Sequence, residues 1–496
     1  MAVYFVLAFI ITALVCYITY EHVTHRRKRA WLNGPSWVPP FIGNIFEMVL
    51  TPHKHYSSQE KYGALSWNSI MGKFFVFCTT TDICRKVLSN PDTSFKVFFT
   101  LTAERLLGGD NIVFMNGPAH KTLRKQILPL FTRRALGVYV KLQEQQIRNH
   151  MEKWLQQSEQ QSELEMRPLI RDLNIDTSFS AFIGPYIGTD EKRTELSYHY
   201  MMMNEGFLAF PLYFPGTTLW SAVQSRKKVT EHLILASKLA RQRMAADVEP
   251  VCLLDFWMES VKSDDPNSLG KLNDVVTDNK SADYHVAKHL LDFLFASQDA
   301  STASLVWVCH FLDEYPDVLD KVRKEQEKVR PNDETLTSEL LEKMPYAYQV
   351  VKEILRFRPP ATMIPQIALK DCKILDNYTV PKGSIVLPYV WSAHFEGFTN
   401  PDKFDPDRFS LERHEDIIYA KNFMAFGFGA HACLGQRYAM NHMTAFIAIM
   451  STNVEWHRTR PGSPESQDIA YFPTIYPADG CVITMKRRQA ACTKDQ

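Results

Sequence analysis

The feature that most constrains the fold of this chain is a long apolar segment between His285 and Tyr315. Hydrophobic residues recur on nearly every helical face of this segment, and at 1.5 Å per residue a helix of this length would span roughly 40–45 Å. A membrane span is the alternative, but Asp292 and Asp299 lie inside the segment, and a charge near the bilayer midplane costs several kcal/mol. We therefore expect a helix that runs through the core of a large domain. The hydroxyl side chains around Asp299 form either a locally satisfied polar patch or a functional opening of the helix.

The composition supports a large buried core and argues against several functional classes. Hydrophobic residues make up 45% of the 496 residues, charged residues 22%, and the formal net charge is +1. The apolar content excludes a disordered or fibrous protein, and the near-neutral charge argues against a nucleic-acid partner. The nine cysteines are scattered and form no CxxC or CxxH pair, which disfavours a disulfide framework or a zinc site.

Helical periodicity dominates the chain, whereas strand patterns are few and short. The polar stretches Ser158–Glu163 and Ser263–Asp278 predict solvated loops. The predicted fold class is therefore mainly α with a minor β-sheet. The predicted helices lie around residues 118–157, 222–246, 286–314, 316–330, 345–357 and 436–452, and the predicted strands lie near residues 65–78 and 367–390.

The N-terminus predicts a membrane anchor. Residues Val3–Tyr20 are uncharged and almost wholly apolar, and the basic cluster Arg26–Arg29 follows them. A cleaved signal peptide is disfavoured because no basic region precedes the apolar stretch and no small-residue cleavage site follows it. The basic cluster should remain cytosolic, which places the rest of the chain in the reducing cytosol. The predicted boundaries are an anchor at 1–21, a basic and proline-rich hinge at 22–40 and a catalytic domain at 41–496.

Residues 426–435, FGFGAHACLG, are the most informative short segment. Cys433 stands at the predicted start of a helix, where unpaired amides and the helix dipole favour a thiolate. Gly429 and Gly435 would allow a tight loop whose backbone approaches a flat ligand closely. A thiolate without a second metal-binding cysteine nearby suits a haem iron, whereas the glycines match neither GxGxxG nor GxxxxGK[ST].

This string resembles the haem-binding signature of the cytochrome P-450 haem-thiolate monooxygenases, and the resemblance extends over residues 35–488. It implies a P-450 fold with a single catalytic domain behind the anchor, and haem b (iron protoporphyrin IX) as cofactor. Cys433 would be the axial ligand of the iron, Phe426 would pack near the thiolate side of the porphyrin, and His431 would bind a propionate.

Further motifs of the family have counterparts here. The E-x-x-R pair corresponds to Glu353 and Arg356, and Arg408 is the expected third member of a buried structural triad. The family's W-x-x-x-R, whose side chains reach a propionate, corresponds to His120 and Arg124, so histidine replaces the tryptophan.

The long helix departs from the family pattern at one position. Members usually carry a threonine directly after the acid, and this threonine contributes to proton delivery during oxygen activation, whereas this chain has Ala300 after Asp299. We therefore expect a hydroxyl relay through Ser301, backed by Asp299, with Ser297 or an ordered water as alternatives.

Three segments resemble the sterol C-22 desaturases of fungi, plants and protists: FLFASQDASTASL, FPLYFPGTTLW and AFGFGAHACLGQRYA. This resemblance implies a membrane sterol substrate, O2 as co-substrate, electrons from NADPH through a partner NADPH-cytochrome reductase, and a single-pass location in the endoplasmic reticulum membrane. The product would carry a double bond between C-22 and C-23 of the side chain.

Alternatives remain open within and outside this enzyme class. They are another sterol oxidation such as 14α-demethylation, a lipid hydroxylation, and a haem-thiolate sensor or carrier without turnover. The aromatic segment Phe207–Trp220 could dip into the membrane beside the anchor. The residues expected by family position to contact the substrate are Phe98, Phe210, Phe295, Ala296, Met363, Ile364 and Ile475.

Overall fold

The computed structural model describes residues 1–89, 93–262, 281–462, 469–471 and 474–489. The loop expected at residues 263–278 lies outside these ranges. Within them, the helices are α1 Ala2–Arg29, α2 Ile45–Leu50, α3 Pro52–Ser57, α4 Thr81–Ser89, α5 Leu101–Leu107, α6 Gly117–Ile127, α7 Arg133–Gln160, α8 Met166–Ser178, α9 Asp190–Glu205, α10 Thr218–Met244, α11 Leu253–Lys262, α12 Ala282–Glu314, α13 Pro316–Val329, α14 Ser338–Leu341, α15 Pro345–Phe357, α16 Val390–Phe395, α17 Glu415–Ile418 and α18 Gln436–Asn453. The strands are β1 Leu65–Ile70, β2 Lys73–Cys78, β3 Phe95–Val97, β4 Leu164–Glu165, β5 Gln366–Ala368, β6 Cys372–Leu375, β7 Tyr378–Val380, β8 Ile385–Pro388, β9 Val454–Arg458, β10 Ile469–Tyr471, β11 Ile475–Pro477 and β12 Val482–Arg487.

The chain comprises two compact units. Unit 1 comprises Met1–Phe98, Ala361–Pro401 and Lys421–Ala432, and unit 2 comprises residues 99–360, 402–420 and 433 onwards. Neither unit is continuous in sequence. The division falls between Ala432 and Cys433, inside the string that the sequence singles out.

Unit 1 contains the larger sheet. Its strand order is β1-β2-β8-β5-β3, and β2 pairs with β8 in parallel, with Phe75 opposite Ile385. Every residue of β1 is buried, as are all residues of β2 after Lys73. The parallel pair joins strands that are about 300 residues apart in sequence, so this pairing depends on the tertiary fold and not on local sequence.

The N-terminal helix α1 is apolar, as expected of an anchor, but it ends at Arg29 rather than at the predicted boundary of residue 21. Val3–Arg29 is long and apolar enough to cross a membrane, with a mean hydropathy of 2.2 in its most apolar window and none of that window buried. The helix continues through Arg29, so the basic cluster occupies its last turn, where cations interact favourably with the helix dipole. Residues 34–40 are non-helical, as the prolines predict.

Unit 2 is mainly helical and is organised around α12. This helix has 33 residues and would measure about 50 Å; Ser281 caps its N-terminus by accepting a hydrogen bond from the backbone N–H of Tyr284. It packs against α8, α10 and α18. Helix α7 runs to Gln160, so the predicted loop 158–163 begins too early. Ser158 is helical, and its hydroxyl donates to the carbonyl of Met485 on β12.

Candidate active site

The middle of α12 faces open space although both ends of the helix are buried. Residues 285–294 and 302–312 are buried throughout, whereas Ala296 is exposed and Phe295 is half-buried. Since no described residue covers the centre of this otherwise buried helix, the helix must border a concavity at Ala296. The side chains on this face are small at Ala296 and Ala300, so a ligand can approach the helix backbone.

Cys433 lies just before the N-terminus of α18, which packs against α12. Its side chain is exposed, yet desolvation raises the pKa of the thiol; the two observations agree if the sulfur faces a concavity in the protein. A hydrogen bond from the backbone of Gly435 and the charge of Arg124 act in the opposite direction. The sequence-based expectation of a lowered thiol pKa is therefore wrong for the protein alone, because burial outweighs the helix terminus.

Helix α6 brings Arg124 into range of Cys433. The guanidinium is half-buried, and its charge and that of the thiolate stabilise each other. His120, one turn earlier, is buried, and burial together with Arg124 lowers the pKa of its imidazole. The helix therefore carries a permanent positive charge near the cysteine and, one turn earlier, a histidine whose pKa is lowered.

The glycine loop of unit 1 adopts a conformation that other residues would resist. Gly427 and Gly429 have φ angles of +72° and +76°. A Cβ added at Gly429 would lie 2.4 Å from the carbonyl oxygen of Leu88. The guanidinium of Arg85 lies 3.7 Å from the centroid of the Phe428 ring. The loop is thus held closely against α4, and glycine at 429 is required both by φ and by space.

A comparison with protein-family models identifies the chain. The model described as Cytochrome P450 matches residues 33–474. The chain belongs to the cytochrome P450 family.

Relatives and a solved structure agree with the assignment. Probable cytochrome P450 524A1 of Dictyostelium discoideum is 40% identical over 488 residues, which cover 97% of this chain and 88% of that protein. C-22 sterol desaturase erg5 of Aspergillus fumigatus is 33% identical over 93% of this P450 and 90% of its own length. The solved structure of retinoic acid bound cyanobacterial CYP120A1 is 22% identical and has a TM-score of 0.77, over 91% of this chain and 98% of that one, which shows a shared fold.

The residues of this P450 fit a haem iron. In the described part of the chain, no three His, Cys, Asp or Glu side chains converge as a metal site, so an iron ion must bring most of its ligands with it. Cys433 offers one accessible sulfur, with Arg124 as a nearby cation and the backbone of Gly435 hydrogen-bonded to the sulfur. A Cβ at Gly435 would only touch the sulfur, at 4.0 Å, so glycine is not required there. Phe426 and His431 are half-buried in the glycine loop of unit 1.

The structure brings Glu353, Arg356 and Arg408 together, and all three side chains are fully buried. Arg356 donates two hydrogen bonds to the Glu353 carboxylate, at 2.7 and 2.8 Å, and Arg408 donates a third at 3.1 Å. The backbone N–H of Asp405 donates a fourth at 2.9 Å. Both guanidinium groups also donate to the carbonyl oxygen of Lys403, so the segment before Arg408 is tied to α15.

Asp299 lies on α12 within the field of two arginines of α8. Burial raises the pKa of its carboxyl group, while the charges of Arg171 and Arg167 oppose the rise. Its backbone carbonyl accepts from the hydroxyl groups of Tyr476, at 3.3 Å, and Thr474, at 3.4 Å. These bonds link the centre of α12 to β11 and to the residue before it.

The hydroxyl groups near Asp299 are not equivalent. The Ser297 hydroxyl donates to the Leu294 carbonyl at 3.1 Å and lies 2.8 Å from the hydroxyl of Ser178 on α8. Ser301 is half-buried and makes no side-chain hydrogen bond to a described residue. It lies about 140° around the helix from Ala296, so it does not share the exposed face. Ser297 thus bonds to Leu294 and Ser178, whereas the Ser301 hydroxyl has no partner among the described residues.

The residues expected to contact the substrate fall into different environments. In unit 2, Phe295 packs against Phe207 with the rings tilted by 39° and their centroids 4.6 Å apart. Phe210 is 72% exposed, and Ile475 is fully buried while its carbonyl accepts from Trp307. Ile475 belongs to β11, which packs against α12, and its contact with a substrate stays a prediction. In unit 1, Phe98, Met363 and Ile364 are half-buried.

Sequence reasoning missed Phe207 and a group of polar residues on α8 and α9. Phe207 stands in a segment singled out only for its aromatic content, and nothing local indicates that it packs on Phe295. Tyr200 and Asn204 fit an ordinary helix pattern, and their packing near Asp299 depends on how α9 meets α12.

Proposed function

We propose that this P450 introduces the C-22(23) double bond into a sterol side chain. The observation that carries the proposal is the similarity to C-22 sterol desaturase erg5, which extends over 93% of this chain. A second observation supports an apolar substrate: the exposed centre of α12 offers Ala296 and Phe295, and the Phe207 ring covers Phe295. This apolar surface suits an extended hydrocarbon, and it offers few groups that would form hydrogen bonds with a polar substrate.

Haem b, when bound, supplies the oxidising chemistry with O2. This chain supplies the iron ligand, a positive charge beside it and the side chains that restrict the substrate. Cys433 would hold the iron, and Arg124 would stabilise negative charge beside it. The sterol loses two hydrogens and O2 is reduced to two waters, with two electrons and two protons from outside. The Phe207 and Phe295 rings would restrict the side chain, and such restriction favours loss of a second hydrogen over hydroxylation. Ser301 or an ordered water, with Asp299 behind it, would deliver the protons.

The partners follow from the anchor and from the need for electrons. We place the protein in the endoplasmic reticulum membrane as a single-pass protein, with α1 in the bilayer, Arg26–Arg29 at the cytosolic surface and the catalytic part in the cytosol. An NADPH-cytochrome reductase would supply the electrons. The exposed apolar residues of the loop after α9, Leu208, Phe210 and Phe214, would contact the membrane from which a sterol enters.

The test is turnover of a sterol that is saturated at C-22, with the full chain, a purified reductase and NADPH in lipid vesicles. We expect a product lighter by the mass of two hydrogens, with its new double bond at C-22. Cys433→Ser should lose the reduced carbon-monoxide spectrum of a thiolate-bound haem and all product. Cys16→Ser, at an exposed position of α1, is the matched control and should retain both.

Other outcomes would refute the proposal in distinguishable ways. A product heavier by one oxygen indicates a hydroxylase, and loss of a methyl carbon from the ring system indicates 14α-demethylation. Sterol binding with a normal carbon-monoxide spectrum but no product indicates a sensor or carrier.

A further inference from the structure

The C-terminal part of α1 packs on unit 1. Tyr17 stacks on Phe41, with ring centroids 4.2 Å apart and ring planes within 8° of each other. Glu21 is only 7% exposed, and its carboxylate accepts a hydrogen bond from the backbone N–H of Phe41 at 2.9 Å. One turn later, the His25 ring lies 5.6 Å from the ring of Phe74 on β2. These contacts attach α1 to unit 1 through buried groups.

Contacts at two separate points fix the direction of α1 relative to the rest of unit 1. In the last turn of the helix, the Lys28 carbonyl accepts a hydrogen bond from the Tyr378 hydroxyl of β7 at 3.0 Å. Nearer the N-terminus, the Tyr17 hydroxyl lies beside the turn between β1 and β2, where a Cβ added at Gly72 would be 3.3 Å from it. The two points are about 16 Å apart along the helix. A helix held at both points cannot swing freely against unit 1.

The same part of α1 marks where a bilayer around the helix would end. The apolar run Val3–Tyr20 measures about 27 Å, close to the roughly 30 Å of a hydrocarbon core, and Glu21 is the first charged residue after it. Tyr17 and Tyr20 are 43% and 70% exposed, and tyrosine is enriched at the membrane–water interface. A bilayer that covers this run therefore reaches the turn of α1 that contacts Phe41.

Apolar side chains of unit 1 are exposed around this contact. The backbone N–H of Met71, in the β1–β2 turn, donates to the carbonyl of Ile42 at 3.0 Å, so Met71 adjoins the segment that begins with Phe41. Helix α2 follows, and its three exposed apolar residues occupy positions i, i+3 and i+4, which places them on one face. These side chains are between 40% and 76% exposed. We call them the apolar patch: Phe41, Ile42, Phe46, Val49, Leu50 and Met71.

The surroundings of the apolar patch favour a lipid surface as its partner. Single exposed apolar residues are ordinary on a protein, whereas a contiguous group marks an interaction site. Lys54 and Lys73 follow the patch residues closely in sequence and are exposed, and cations at this position suit anionic headgroups. Glu47, the only acid between residues 41 and 54, has its carboxylate 3.3 Å from the His55 ring. Since the patch is continuous with α1, the bilayer is a partner that both can share.

We propose that the apolar patch of unit 1 lies in the interfacial region of the bilayer, so that α1 and the patch form one membrane-binding surface. Because α1 is held against unit 1, a helix that spans the membrane brings the patch to the headgroup level. The bond from Phe41 to the buried Glu21 carboxylate shields this acid from lipid at the same level. The inference rests on the proposed membrane location of α1 and not on the identity of the sterol.

The test places a photoreactive benzoylphenylalanine at one position at a time in the haem-loaded full chain, in vesicles of phosphatidylcholine and phosphatidylserine. Leu50 and Met71 report on the apolar patch, and Phe9, which is 76% exposed as Leu50 is, reports on the spanning part of α1. Asp82 is the matched aqueous control in unit 1. Its side chain is 82% exposed, and it follows the far end of β2, about 17 Å of strand from the β1–β2 turn.

After irradiation, mass spectrometry measures the fraction of protein joined to lipid. We expect the yields at Leu50 and Met71 to reach at least about half of the yield at Phe9 and at least about fivefold the yield at Asp82. The reduced carbon-monoxide spectrum checks that each variant is folded and haem-loaded.

Insertion of a charge into the apolar patch gives a second measurement. Phe46→Glu should lower the lipid yield at Met71 about threefold or more, because a carboxylate resists transfer out of water. Lys86→Glu, at an exposed position of α4, is the control and should leave that yield unchanged. The yield at Phe9 should be the same in both variants, since α1 itself is not altered.

The outcomes separate this inference from the membrane location on which it rests. Lipid adducts at Phe9 without adducts at Leu50 and Met71 would overturn the inference and leave the anchor in place. Absence of an adduct at Phe9 would refute the location of α1 in the bilayer. Cross-linking of Leu50 to a second copy of the chain instead of lipid would make the apolar patch a contact between copies and would also overturn the inference.

Discussion

Replacement of Glu353 by alanine leaves two buried guanidinium groups without their shared carboxylate. Arg408 keeps a bond of 3.0 Å to Glu415 and one of 3.0 Å to the Lys403 carbonyl. Arg356 loses both hydrogen bonds of its fork to the Glu353 carboxylate and keeps a bond of 3.3 Å to the Lys403 carbonyl. The substitution therefore removes a negative charge that two fully buried guanidinium groups share.

The expected loss follows from this burial. Breaking a fully buried ion pair by removing one partner costs about 3–5 kcal/mol, because the remaining charge is desolvated without compensation. A double variant, Glu353→Leu with Arg356→Met, removes both charges and should recover more than half of the loss. Glu342→Ala is the control: this carboxylate is 64% exposed and bonds to Arg133 at 3.2 Å, and its removal should cost less than about 1 kcal/mol.

The assay is urea-induced unfolding of the haem-loaded protein in detergent, followed by far-ultraviolet circular dichroism and by the reduced carbon-monoxide spectrum. Both signals should shift together for Glu353→Ala, since the buried triad ties α15 to the segment before Arg408 within unit 2. If Glu353→Ala and Glu342→Ala differ by less than about 1 kcal/mol, the buried pair does not stabilise the fold as argued.

Three further outcomes are expected. Gly429→Ala should cost more than about 2 kcal/mol and weaken haem retention, because its Cβ would meet the Leu88 carbonyl at 2.4 Å; Gly462→Ala, at a similar φ of +75° in open space, should cost about 1 kcal/mol by the same urea assay. His442, whose pKa burial lowers to about 4, stays neutral in the folded protein while the unfolded chain binds a proton below pH 6.5. The free energy of unfolding should therefore fall by about 2 kcal/mol from pH 7 to 5 through this residue, and His442→Gln should remove that part of the slope. Ser301→Ala should raise the hydrogen peroxide released per NADPH at least about threefold, and an unchanged yield would assign the last proton transfer to water.

Local sequence signals predicted the elements whose residues interact within a short stretch. The helix expected at residues 345–357 is found with the same ends, because Pro345 begins it and Pro359 prevents its continuation. The apolar pattern of the α12 segment likewise predicted a core helix. The end of α7 was misplaced because Ser158 bonds to β12, a partner more than 300 residues away that no local pattern contains.

In the candidate site, too, some features were predicted from local sequence and others depend on tertiary packing. The string around Cys433 was recognisable because the glycines and the cysteine are close in sequence. The resemblance to the P-450 family predicted the triad of Glu353, Arg356 and Arg408, which the structure brings together. The direction of the thiol pKa was predicted wrongly, since desolvation depends on all surrounding elements and not on the helix terminus alone. The environments of Phe210 and Ile475 also depend on packing between distant segments.

The sequence by itself determined that this chain is a mainly helical protein with an N-terminal helix apolar enough to cross a membrane and a haem-thiolate signature at Cys433, because periodicity, hydropathy and short motifs act over a few residues. Only the tertiary structure decided that Ser297 bonds to Ser178, that Ala296 is exposed in an otherwise buried helix, and that Asn204 donates to Gln298 beside Asp299. Burial, charge interaction and unsatisfied hydrogen bonds are properties of neighbours in space. They arise when helices from separate parts of the chain pack together, and so they cannot be read from any one segment.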